Sequence, residues 1–150
     1  MPFDVVVRNE TRTRTQSRAF FERAVSAALK ARGFKPSRRI QVGIVMVGPR
    51  RMRILNRTWR HIDKPTDVLS FPLEVSQNAA YTERMLGDLF LCLSVCRRRA
   101  ATQQIAFRTY VAWATIHGTL HLSGMDHEAS AAQALKMQKL EQKILTSLKL

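Results

Sequence analysis

Three of the chain's four histidines fall within eleven residues, His117-Gly118-Thr119-Leu120-His121-Leu122-Ser123-Gly124-Met125-Asp126-His127. His117 and His121 are four apart, so on a helix both imidazoles project from one face, a turn above each other, where two nitrogens can meet one cation. Gly124 stands where a helix stop is expected: glycine readily takes the left-handed conformation just past a helix end, and the reversal lets His127 reach the same point. Three neutral imidazoles leave a tetrahedral ion one position for water, which is the arrangement of a catalytic site and not of a closed structural one. The competing reading is core histidines with satisfied nitrogens. Two at helical spacing fit it; three with a helix stop between the second and third fit it poorly. The zinc-protease pattern places glutamate directly after the first histidine, and here that position is Gly118, so a standard peptidase is not expected.

The elements that must position these residues can be read from periodicity. Phe3 to Arg8 alternates as a first strand, and Ser17 to Arg32 repeats apolar residues at helical spacing with Gly33 at the C-terminal stop. Ile40 to Val47, rich in β-branched residues, reads as a central strand. Arg50 to Trp59 sets Met52, Leu55 and Trp59 on one helical stripe with its arginines outward. Asp63 to Asp67 is turn chemistry before a short apolar run, Val68 to Phe71, whose Pro72 places it at or near a sheet edge. Glu74 to Met85 has no period and reads as a loop. After Gly87-Asp88 a buried strand is expected over Leu89 to Leu93, with Ser94 as a cap for the helix carrying Arg97-Arg98-Arg99. A helix from about Ile105 to Leu122, apolar on nearly all sides, carries the first two histidines, and an amphipathic helix spans Ala131 to Leu148. The order β-α-β-α-β-β-α-α-α predicts an α+β fold: residues 1–150 as a single domain, with a four-stranded mixed sheet covered by about five helices and the metal site at the C-terminal end of a buried helix.

Composition speaks to partners. At 45% hydrophobic content, 150 residues can bury one core. The 25 Lys and Arg against 11 Asp and Glu give +14, and a polyanion is the natural complement. No acidic residue lies between Glu22 and Asp63, a span with eleven Lys or Arg, so the positive field is concentrated on part of the surface. A merely basic protein is the alternative to nucleic acid. Cys92 and Cys96 form no C-x-x-C pair and read as free thiols in a reducing compartment, with metal ligation the competing reading. The N-terminus lacks an export signal, and the longest uncharged run, Thr109 to Met125, is seventeen residues, too short for a bilayer. A cytoplasmic protein with no membrane partner is expected.

Two stretches carry a resemblance to a known family: Leu55-Asn56-Arg57-Thr58-Trp59-Arg60, running on through Pro65-Thr66-Asp67-Val68-Leu69-Ser70-Phe71-Pro72, and His117 through His127. With Leu86-Gly87-Asp88-Leu89 and the tail Met137 to Glu141, the chain resembles the bacterial YbeY family over nearly its whole length. The resemblance implies a zinc-dependent, single-strand-specific endoribonuclease that matures ribosomal RNA, notably the 3′ end of the small-subunit rRNA, and takes part in ribosome quality control. It implies that His117, His121 and His127 hold one Zn2+ and that Arg60 is the functional arginine, so Arg60 and His117 are the catalytic candidates. A guanidinium suits that role, because its fork of donors can hold a phosphodiester in two places. Asp67 is expected to bond the turn backbone, and Asp88 to orient a ligand histidine, with a purely structural role open for both. The chain departs from the family at Pro49-Arg50-Arg51, where acidic residues are frequent, and at Trp59, where tyrosine is usual. Thr109-Tyr110 replace a glutamate, and Met125 replaces an aromatic.

A bound cation lowers the pKa of water from about 15.7 toward about 7, so RNA hydrolysis needs no protein base on the helix. The basic regions around residues 23 to 60 and 97 to 99 are expected to attract RNA, with Arg57, Arg60, Arg97 and Arg98 as contacts and ribosomal RNA, the ribosome or its proteins as partners. DNA is not expected. His61 reads as exposed and incidental. Two rivals stay open: a zinc hydrolase of another substrate class, which has no need of such a charge, and a non-enzymatic ribosome or RNA-binding factor with a structural zinc.

Overall fold

A computed structural model of the chain describes residues 2–73 and 84–150. Its elements run β1 (Asp4–Asn9), α1 (Arg18–Ala31), β2 (Ile40–Met46), α2 (Pro49–Arg60), β3 (Val68–Pro72), β4 (Arg84–Leu91), α3 (Leu93–Gln103), α4 (Phe107–Leu122) and α5 (Ala131–Ser147). This is the expected order. The strands form one mixed sheet, β1-β2-β4-β3, in which β1, β2 and β4 are parallel and β3 runs antiparallel to β4. β2 is central, as its β-branched run predicts, and β3 is an edge, where Pro72 can forgo a ladder donor.

Period-two alternation gives the sheet two different faces. On one, Val5, Val42, Ile44, Leu89 and Leu91 join the buried residues of α1 and α4 in the main core. On the other, Val45, Val47 and Leu69 pack with Met52 of α2 and with Cys92 and Val95. α4 lies against β3 and β4 with α1, α3 and α5 around it, which explains why it is apolar on nearly every side. Its buried Thr115 and Thr119 donate back to the Val111 and Thr115 carbonyls at 2.8 and 2.7 Å, so the core helix satisfies its own hydroxyls. Among the described residues, no helix is long and apolar enough to cross a membrane.

Several boundaries differ from expectation. β4 starts at Arg84, continues through Gly87-Asp88 and ends at Leu91, while Leu93 belongs to α3. Gly87, expected to precede the strand, sits inside it. Gln41 faces Met85 and Val42 faces Gly87, so the strand bulges there. Gly87 has φ +139°, and a Cβ would lie 2.2 Å from the Phe71 carbonyl oxygen. A glycine demanded by a mid-strand bulge is indistinguishable, in sequence, from one that ends a loop. Of the expected loop Glu74–Met85, residues 74–83 lie outside the described residues, and Arg84 and Met85 are strand. Ser94 is not a cap: Cys92 occupies that position without a side-chain cap. α4 begins at Phe107, two residues after Ile105, which is exposed.

Candidate metal centre

The last two turns of α4 carry His117 and His121. Beyond the C-cap Ser123, Gly124 (φ +102°) reverses the chain. The Gly124 and Met125 amides donate to the His121 and Leu120 carbonyls at 3.0 and 3.1 Å, the paired bonds of a Schellman motif. The turn brings His127 back as expected. Its Nδ1 lies 2.8 Å from His121 Nε2, which in turn is 3.2 Å from His117 Nε2. One ligand atom from each of the three lies within 4.8 Å of the others.

The outward nitrogens define what the inward ones can do. His117 Nδ1–H donates to Glu141 Oε1 at 2.6 Å, and His121 Nδ1–H donates to the Met125 carbonyl at 2.9 Å. Each ring therefore turns a bare Nε2 lone pair inward, two acceptors facing each other with nothing of their own to share. Burial, with His117 and His127 adding, pushes the His121 pKa down to about 4, so that ring is neutral near pH 7. At neutral pH the donor set fits a metal cation. Two nitrogens bound to one tetrahedral ion lie about 3.3 Å apart, close to the 3.2 Å seen. Among the described residues no fourth His, Cys, Asp or Glu joins the cluster, which borders a cleft of about 680 Å³ lined also by Trp59, Arg60, Ser70, Phe71 and Glu128.

Arg60, the last residue of α2, lines the same cleft. Its guanidinium donates to Glu128 Oε1 at 2.6 Å, and Glu128 follows His127 directly in the chain. The bond from Arg60 and its charge hold the Glu128 carboxyl below the usual range. His61, which takes a left-handed conformation as the α2 C-cap, also lines the cleft.

Other expected residues lie elsewhere. Arg57 is exposed on α2, one turn before the cleft, and faces Asp63 at 3.6 Å. Arg97 and Arg98 line a separate cavity with Thr13 and Ser94, and Arg97 stacks over Phe107 at 4.1 Å. Asp67 is a buried joint between elements. It accepts from Val68 N at 2.8 Å, as the turn chemistry requires, and also from Tyr110 Oη at 2.6 Å and Arg99 at 3.0 Å. Asp88 lies over Gly43, where a Cβ would meet its carboxylate; Glu141 and the Met125 carbonyl, not Asp88, orient the His117 and His121 rings. Cys92 and Cys96 are fully buried away from the cluster, and burial, with Asp67 adding, pushes the Cys96 thiol up to about 12.

Glu141 was not assigned a role from sequence. It is 4% exposed and bonds both His117 and Trp113 Nε1, the latter at 2.8 Å. The signal was available: Glu141 shares the α5 stripe of Met137 and Ile144, and an acid on a buried stripe needs a partner.

Fold and site together define a class, an α+β domain in which two imidazoles at the end of the central helix and a third just beyond it could hold a metal ion, in a cleft lined also by an arginine. The family profile described as Endoribonuclease YbeY matches residues 6–149, and the chain belongs to the endoribonuclease YbeY family, hydrolases that act on RNA. Proteins named endoribonuclease YbeY are similar to it along most of its length. That of Novosphingobium aromaticivorans is 40% identical over 129 residues, covering 82% of this chain and 77% of the relative. That of Colwellia psychrerythraea is 36% identical over 138 residues, 92% and 87% of the two chains. The Persephonella marina protein is 30% identical over 145 residues, 97% and 92%. The solution structure of TM1509 from Thermotoga maritima shares the fold, with a TM-score of 0.64 at 24% identity over 94% of this chain and 86% of that one.

Proposed function

We propose that this chain is a zinc-dependent endoribonuclease specific for single strands, that it matures ribosomal RNA at the 3′ end of the small-subunit species in the cytoplasm, and that it serves ribosome quality control. The observation that carries the reading is the convergence of the His117 and His121 Nε2 atoms with His127 in a cleft lined also by Arg60. Zinc suits three imidazoles with an open fourth position. When bound, the ion supplies Lewis acidity and an acidified water near neutral pH.

The chain's own groups do the rest. His117, His121 and His127 hold the ion, and Glu141 and the Met125 carbonyl keep the first two rings in the ligating tautomer. Arg60, released from Glu128, holds the phosphodiester and offsets the charge that develops on it. The net charge of +14 draws RNA toward the cleft, with Arg57, Arg97 and Arg98 offered to phosphates along the approach. Partners in the ribosome follow from that substrate.

The test is cleavage of an RNA fragment containing the small-subunit 3′ end by wild type, His121→Ala and Arg60→Ala, alongside elemental analysis of the purified protein. One zinc per chain in wild type, none in His121→Ala and loss of cleavage in both variants is the expected result. Equal cleavage by all three removes the mechanism. Chelation separates the enzyme from a structural-zinc protein: α4 is held by the core, so stripping the metal abolishes cleavage while the far-UV circular dichroism is retained.

A further inference from the structure

Trp59 ends the α2 stripe that begins with Met52 and Leu55, a pattern that predicts a core residue. Met52 is fully buried, but Trp59 is 65% exposed. The last member of the stripe stands at the cleft containing the three histidines. The indole meets the Phe71 ring edge-on, with centroids 5.9 Å apart at 76°, and Phe71 meets Phe90 in the same way at 5.4 Å and 86°. Phe71 and Phe90 are packed against the second core cluster. The indole is thus braced on a fixed aromatic row while most of its surface is left to solvent. What distinguishes Trp59 from the other exposed apolar side chains is that its ring lines the cleft of the three histidines, where a ligand of that site would meet it.

We infer that Trp59 is the platform on which an unpaired base next to the scissile phosphate stacks. The inference rests on the endoribonuclease reading above and deepens it. Trp59 and Arg60 are consecutive at the end of α2, so one rigid helix end offers a ring to a base and a guanidinium to a phosphate of the same short stretch of strand. Stacking accepts any base, because every base has a π-face, which gives affinity without sequence preference. A duplex base already has both faces covered by its neighbours and would have to be unstacked first. The platform therefore selects loops and single strands by the availability of a base face.

The test uses the full, metal-loaded protein and a single-stranded RNA that wild type cleaves, in versions with one abasic position moved along the strand. With wild type, an abasic residue at one position beside the cut raises KM roughly ten- to hundredfold with kcat nearly unchanged. Trp59→Ala raises KM on the intact strand by a similar factor and makes that position indifferent, so the two changes are not additive. Trp59→Phe keeps most of the affinity. Oligouridylate quenches the tryptophan emission of wild type more strongly than that of Trp59→Phe, where only Trp113, half-buried and stacked on His117, remains. Unchanged KM in Trp59→Ala, or additive effects, overturns the platform and leaves the nuclease standing. Failure of wild type to cleave any RNA removes both.

Discussion

Glu141 accepts from His117 and Trp113 at once, from a helix that contributes no metal ligand of its own. Its carboxyl makes His117 Nδ1 the donor and leaves Nε2 for the ion, so Glu141→Gln, which preserves shape but can present its amide instead of an oxygen, is expected to weaken metal affinity about 10–100-fold. Competition with a chromogenic chelator measures this, with circular dichroism unchanged. Glu128 acts in the other direction. It occupies Arg60, the group proposed to hold phosphate, through an exposed pair whose net value is at most about 1 kcal/mol. RNA can therefore displace it, and Glu128→Gln is expected to tighten single-stranded RNA binding by up to about fivefold at low salt. Filter binding over a salt series should show the gain closing as salt rises. Of these residues the three histidines were legible, because ligand spacing is local. Glu141 was not assigned, because its partner sits 24 residues away on another helix.

At the scale of elements, α4 shows how a sequence departure becomes intelligible. Gly118 stands where a zinc protease carries its glutamate, and position 118 faces the sheet, not the ion. A Cβ there would lie 2.7 Å from Leu89 Cδ2 and 3.2 Å from Ser70 Oγ, and the Ser70 hydroxyl donates to the Gly118 carbonyl. The close approach of α4 to β3 and β4 depends on that missing side chain. Restoring the protease residue by Gly118→Glu would drive a carboxylate into the fully buried Leu89, and is expected to cost roughly 3 kcal/mol or more without creating a peptidase. Urea unfolding monitored by circular dichroism gives the value. The helix itself, its end at Gly124 and its central position were readable from apolar content and the stop signal. The start of β4 was hidden by Gly87, and the exposure of Trp59 was hidden by its place on an apolar stripe, since periodicity reports the face of a helix and not where its partner ends.

For the whole molecule, charge governs the encounter with substrate. Several basic residues of the arginine-rich half are committed internally: Arg23 donates to the Leu148 carbonyl, Arg51 pairs with Glu10 and Arg53 with Asp63. The excess of +14 remains, and binding to single-stranded RNA is expected to follow counterion release. With about six phosphates contacted, the slope of log affinity against log salt is near −4, and going from 50 to 200 mM weakens binding a few hundredfold. Fluorescence anisotropy with a labelled single strand measures the slope, and a flat response would deny the charge its role. By itself the sequence determined the order of elements, the mixed sheet, the clustering of the three histidines and the sign of the net charge, because each follows from spacing, periodicity or composition within short stretches. Tertiary structure alone decided that α2 delivers Arg60 and Trp59 to the end of α4, that Glu128 holds the first, and that Glu141 aims His117. Those pairings join residues far apart in the chain, and only the packing of helices on a common sheet brings them within reach.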